Sequence, residues 1–186
     1  MNRLLLALPL LLAACDTGPE VKAENASVGE VAEKVRKAGG GAAMTVRPGE
    51  WQSDVTLESI EVPGMPPEAA THIKKTMASA VSGHKFCLTP DQVGKPAEDF
   101  FAGKDSNCRY ETFKMDQGRM AGVMRCDQGG ATQKIEFDGS YSPDSYDMRM
   151  STAVEGGKGP GAGMKMAMKI AAKRLGDCQA GSKPTN

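Results

Sequence analysis

From Trp51 onward, Trp51, Ser53, Val55 and Leu57 take one side of the chain while Gln52, Asp54, Thr56 and Glu58 take the other. A period of two is that of a half-buried strand, and Pro63 to Pro67 ends it. The period then lengthens. Ala69, Ile73, Met77, Ala80 and Val81 recur at helical spacing from Glu68, with Lys74, Lys75 and Ser79 directed elsewhere and Gly83 closing the helix. His84 to Leu88 reads as a short strand, and Thr89-Pro90-Asp91 opens a further helical piece toward Phe100.

Beyond Asn107 the alternation returns and stays. Arg109 to Met115 and Arg119 to Arg125 flank Asp116-Gln117-Gly118, a hairpin turn with glycine where a positive φ is cheap. Thr132 to Tyr141 and Tyr146 to Val154 follow, joined by Ser142-Pro143-Asp144-Ser145, which sets Phe137 across from Met150 as a sulfur–aromatic core pair. Met164, Met166, Met168 and Ile170 alternate in a final strand. On the other side of Trp51, Ser27 with Glu30 forms a capping-box pattern for a small surface helix. Val28, Val31 and Val35 share one face of it, and Gly39-Gly40-Gly41 ends it. The predicted architecture is α+β: a curved antiparallel meander of about six or seven strands with two or three helices on one side.

The first residues read differently. Arg3 is a short positive region, and Leu4 to Ala14 is apolar apart from Pro9, far shorter than the roughly twenty residues that span a bilayer. This reads as a signal-peptide core. Leu12-Ala13-Ala14-Cys15 resembles the lipobox of bacterial lipoproteins, which implies cleavage before Cys15, a diacylglycerol anchor on its thiol and palmitate among the lipid of the mature protein. Asp16 resembles the inner-membrane retention signal of enteric lipoproteins. The expected divisions are a signal peptide over 1–14, a tether and short helix over 15–43 (the tether itself ending near Ala26), a single domain over 44–180, and a disordered tail over 181–186. Loss of Arg3 with the signal leaves 22 basic and 23 acidic residues of the 23 each in the whole chain. That balance supplies no strong pull on nucleic acid and no polybasic membrane patch.

Assigning Cys15 to lipid leaves Cys87, Cys108, Cys126 and Cys178, enough for two disulfides in an oxidising compartment. Centring the hairpin on Gln117 places Cys108 opposite Cys126, with Tyr110 facing Met124 and Thr112 facing Gly122. The remaining pair is Cys87 with Cys178. Zinc needs close CxxC pairs or nearby histidines, and these cysteines are scattered.

Chemistry-bearing patterns are sparse. His72 and His84 lie in no HExxH helix, and no GxSxG elbow occurs. His72 belongs to the polar side of a helix, and His84 follows its glycine stop. The glycines from Gly156 to Gly163 lack the Gly-Lys-Ser/Thr of a phosphate loop and read as a connection between strands. Thioethers are soft ligands for Cu(I), so Met148, Met150, Met164, Met166 and Met168 admit a copper-handling reading, although their side of the strands is where core belongs. Trp51 reads as a core anchor. Asp99, Asp105 and Asp138 are scattered carboxylates that would serve a hydrolase only if the fold brought two together.

Arg47-Pro48-Gly49-Glu50-Trp51, Met65-Pro66, Cys87-Leu88-Thr89-Pro90, the Cys108 and Cys126 hairpin, a Tyr-bearing strand pair and Arg174-Leu175-Gly176-Asp177-Cys178 together resemble the domain of unknown function 3617 family, over roughly residues 44 to 180. The resemblance implies a small exported, disulfide-bonded, β-rich domain and no assigned activity, so no catalytic residue carries over. The expectation is a lipid-anchored periplasmic module that binds an envelope protein or a small apolar ligand. It is not expected to be an enzyme, nor to need a cofactor or a metal.

Overall fold

The computed structural model describes residues 20–40, 46–81, 83–90, 93, 107–158 and 161–179. Its strands are β1 (Val21–Ser27), β2 (Gly49–Glu61), β3 (His84–Leu88), β4 (Cys108–Asp116), β5 (Arg119–Gln128), β6 (Ala131–Ser142), β7 (Ser145–Gly156) and β8 (Lys165–Gly176). Helix α1 covers Val28–Val35 and α2 covers Pro67–Val81. The eight strands form one open sheet in the order β1-β4-β5-β6-β7-β8-β2-β3, antiparallel throughout. Local hairpins build its middle, and β2 then pairs with β8 to bring the early chain beside the late one.

The β4–β5 hairpin turns on Gln117 and Gly118, both at positive φ (48° and 72°), as a two-residue type I′ turn requires. Cys108 faces Cys126, and Tyr110 faces Met124. One expected pair is corrected. A bulge between Tyr110 and Thr112 shifts the register by one, so Thr112 faces Val123 and Phe113 faces Gly122. The bulge returns Phe113 to the side of Tyr110, where both rings are buried. Phe113 is edge-on to Tyr110 at 5.4 Å, and the Phe137 ring covers Gly122, where a Cβ would come within 2.6 Å of its Cζ.

Residues 21–26 also depart from expectation. Expected in the tether, they form β1 and pair with β4, which makes eight strands where six or seven were predicted. Val21, Ala23 and Ala26 are buried, and Asn25 at φ 49° interrupts their alternation. The capping box of α1 is present: Glu30 N–H donates to Ser27 Oγ at 3.2 Å, and Ser27 N–H donates to Glu30 Oε2 at 2.7 Å. Yet α1 is no surface element. Val28, Val31 and Val35 are buried in one cluster with Tyr110, Phe113, Met115, Met120, Met124 and Phe137. Past α1 the chain continues through a π turn, Arg36–Gly40.

The strand from Trp51, helix α2 and strand β3 fall where the periodicity placed them, and β6 and β7 pair with Phe137 facing Met150. Cys87–Cys178 and Cys108–Cys126 are at disulfide distance, with Cα separations of 5.6 and 4.0 Å. Of the helical piece from Thr89 to Phe100, the described part shows a single turn, Val93 N–H to Thr89 O at 3.1 Å, and the remainder lies outside the described residues.

Candidate functional site

Two features stand out from the scaffold: a polar clasp at one end of the sheet and a groove across its outer face. In the clasp, the Arg47 guanidinium forks onto both carboxylate oxygens of Asp144, its Nε at 2.8 Å from Oδ1. This contact holds the Asp144 carboxyl below its ordinary pKa. The Arg47 N–H donates to Pro143 O at 2.7 Å, and its carbonyl accepts from Trp51 Nε1 at 3.0 Å. Trp51 is fully buried and stacks on Tyr146 at 6.2 Å. Arg174 donates through Nε to Pro48 O and through its amide to Asp144 O, both at 2.8 Å. Gly49 sits at φ 144°, and a Cβ there would reach to 2.6 Å from Arg174 Nε. Cys87 and Cys178 close the same end, since Glu50 of β2 faces both Cys87 and Gly176. The clasp therefore fastens the start of β2 to the β6–β7 turn and the end of β8.

The groove crosses five strands and encloses about 590 Å³. Odd and even positions of a strand face opposite sides, so the rows opposite the core bring their side chains to the groove, with Ala23, Phe113, Gly122 and Phe137 of the core rows also contributing to its lining. Lys22 faces Lys114, which faces Ala121, which faces Asp138, which faces Arg149. Beside that row run Glu24, Thr112, Val123, Glu136 and Ser151. Small side chains on β5 leave the floor low, and charged side chains on β1, β4, β6 and β7 make the walls. Arg149 is held by both Glu58 oxygens at 3.0 and 2.8 Å, which lowers the Glu58 pKa. Among the described residues no three His, Cys, Asp or Glu side chains are grouped to hold a metal ion.

Arg47, Pro48, Gly49, Trp51, Cys87, Arg174 and Cys178 of the clasp are among the residues that carried the family resemblance, now gathered from distant segments. The family described as "Protein of unknown function (DUF3617)" matches residues 46–178. The chain belongs to this family. No curated protein and no solved structure matches it. The match begins after β1 and α1, so the first buried strand and helix lie outside the segment that defines the family here.

Within this DUF3617 frame the expected residues scatter. His72 is exposed on α2, and His84 is exposed on β3 against Phe86. Met148 packs on the core, whereas Met150, Met164, Met166 and Met168 are half-buried, with Met150 facing both Phe137 and Met168. Trp51 is the core anchor it was expected to be. The glycine segment spans the end of β7 and the approach to β8, where Gly163 N–H bonds Val154 O at 3.1 Å. Asp138 is exposed in the groove; Asp99, Asp105, Cys15 and Asp16 lie outside the described residues. Neither described helix is long and apolar enough to cross a membrane. Sequence reasoning missed Lys22, Lys114, Ala121, Glu136 and Arg149, because only the neighbour order β1-β4-β5-β6-β7 gathers them.

Among the described residues, one buried side-chain polar atom is unmatched. The Tyr141 hydroxyl is buried without a hydrogen-bond partner, and burial together with the nearby Asp116 charge raises its pKa. It lies at the hairpin end of the sheet, where Tyr141 N–H bonds Gly118 O at 2.7 Å, and takes no part in the groove.

Proposed function

We propose that this chain is a lipid-anchored module of the bacterial envelope that binds a partner or small ligand in its outer-face groove. Acyl chains on Cys15 hold it at the periplasmic face of a membrane, the inner membrane being favoured by Asp16. The anchor rests on Leu12-Ala13-Ala14-Cys15 following a short apolar stretch. Binding rests on the groove, a concave surface of ligand size set on the best-buried part of the scaffold. The lining combines apolar surface with the charged ends of Lys22, Lys114, Glu136, Asp138 and Arg149, which suits an occupant with an apolar body and charged ends.

Of the carboxylates expected for a hydrolase, Asp138 is the one among the described residues, exposed in the groove beside Glu136, so the binding reading rests on the groove's shape and charge rather than on an acid–base pair. The groove, the clasp and the anchor then divide the work: hold a ligand, hold the sheet, hold the membrane.

The test is complementation of a deletion strain. Ala121 is exposed on the outer face, so Ala121→Trp fills the floor without entering the core. That variant should fold, reach the membrane and fail to complement. Cys15→Ser should leave an uncleaved precursor or a protein free of the membrane. Full complementation by Ala121→Trp would refute the groove, and normal processing and membrane retention of Cys15→Ser would refute the anchor.

A further inference from the structure

The charges along the groove are ordered. Lys22 and Lys114 are direct cross-strand partners at one end, and Ala121 with Val123 forms an uncharged step on β5. Asp138 and Glu136 follow on β6. The carboxylate pair on β6 thus lies two strand spacings from Lys114 and three from Lys22, roughly 10 and 14 Å along the sheet. Two lysines directly opposed on a ladder repel each other unless an anion lies between them.

Their present partners are weak competitors. Lys22 pairs with Glu20, Lys114 reaches Asp116 only at 4.0 Å, and Glu136 is met by Lys134 at 2.5 Å. These side chains are largely exposed, and such pairs are worth about 0–1 kcal/mol each. Asp138 forms no ion pair among the described residues. Its cationic neighbour Arg149 turns both guanidinium contacts to Glu58.

Resting on the reading of the groove as the binding surface, we propose that its ligand is a short zwitterionic peptide of three or four residues. Three to four extended residues span roughly 10–14 Å, which covers the interval from the β6 carboxylates to the two lysines. The terminal carboxylate sits between Lys22 and Lys114, the terminal amine meets Asp138 and Glu136, and the middle of the peptide crosses Ala121 and Val123. Thr112 and Ser151 line the second row and offer hydroxyls to the ligand backbone. Longer chains overrun one charge pair, and single amino acids cannot reach both.

Titration of the isotope-labelled mature protein with trialanine, followed by amide chemical shifts, tests this directly. Trialanine should perturb residues 112–114, 121–123 and 136–138. N-acetyl-trialanine and trialanine amide should each bind about tenfold more weakly, equivalent to about 1.4 kcal/mol. Lys114→Glu, which keeps the strand and reverses one wall, should weaken trialanine by at least as much. Absence of shifts at millimolar trialanine, or equal binding of the blocked forms, overturns the peptide proposal. The groove reading falls separately, if Ala121→Trp complements the deletion strain.

Discussion

The two halves of the sheet solve the same problem by different means. Around β1, α1, β4, β5 and β6, one apolar cluster contains Tyr110, Phe113, Phe137, Met115, Met120 and Met124, with Cys108–Cys126 buried beside it. Around β7, β8, β2 and β3, the corresponding face carries Met150, Met166, Met168, Ile170, Val55 and Ile60, all half-buried, and apart from Trp51 its buried side chains Leu57, Thr152 and Ala172 include no aromatic ring. That second half is secured instead by the Arg47 and Arg174 clasp, the buried Trp51, and a disulfide whose Cys178 is exposed. Apolar burial is roughly proportional to the area removed from water, so the first half stabilises itself, whereas the second depends on a few discrete ties. The groove lies mostly on the outer face of the packed half and reaches the tied half at β7, where Arg149 and Ser151 line it.

The largest test of that contrast is the loss of the Cys87–Cys178 bridge. Its 91-residue separation gives a chain-entropy contribution of about 4–5 kcal/mol, against about 3 kcal/mol for the 18-residue Cys108–Cys126 loop. Denaturant melts of Cys87→Ser/Cys178→Ser should show that drop, and exposed Cys178 should make this bridge the first reduced under limiting dithiothreitol. Earlier reduction of Cys108–Cys126 would reverse the assignment of which half is tied and which is packed. Next comes a paired truncation. Phe113→Ala in the packed half should cost about 3–5 kcal/mol, and Met168→Ala in the tied half clearly less, since a half-buried side chain leaves a smaller cavity. Equal losses would mean that both halves are cores of one kind.

Sequence reasoning reached most of the scaffold because strand periodicity and turn chemistry are local. It placed β2, α2, β3 and the β4–β8 run, and it paired the cysteines from the hairpin centre. Its misreadings of β1 and of the β4 register share a physical cause. Buried Val21, Ala23 and Ala26 are spaced two and then three apart, and so are Met115, Phe113 and Tyr110 on the partner strand. Asn25 and Glu111 interrupt the two alternations at facing positions, so β1 did not look like a strand and the β4 register was read one residue off beyond Tyr110. An odd step between large apolar residues, Tyr110 to Phe113, was the available sign of a bulge. The groove had no such sign, because its walls come from strands whose neighbour order no local pattern contains.

The smallest effect concerns acid. Arg47 holds the Asp144 carboxyl below its ordinary pKa, so the contribution of this contact is present at neutral pH and fades as pH falls through the lowered value. Thermal melts taken downward from neutral pH should lose this contribution only below the ordinary carboxylate range, near about pH 4. Asp144→Asn should flatten that acid limb slightly while leaving the groove intact. An unchanged acid limb would remove the clasp's ionic part from the account.

The central claim is that the outer groove of the packed half is where this DUF3617 chain meets its ligand. Native mass spectrometry of the mature protein, purified gently from its own envelope, addresses it most directly. A bound species should appear on the wild type and disappear from Ala121→Trp, with both proteins melting alike. Retention of the same species by Ala121→Trp would place the binding surface elsewhere on the molecule and contradict the account.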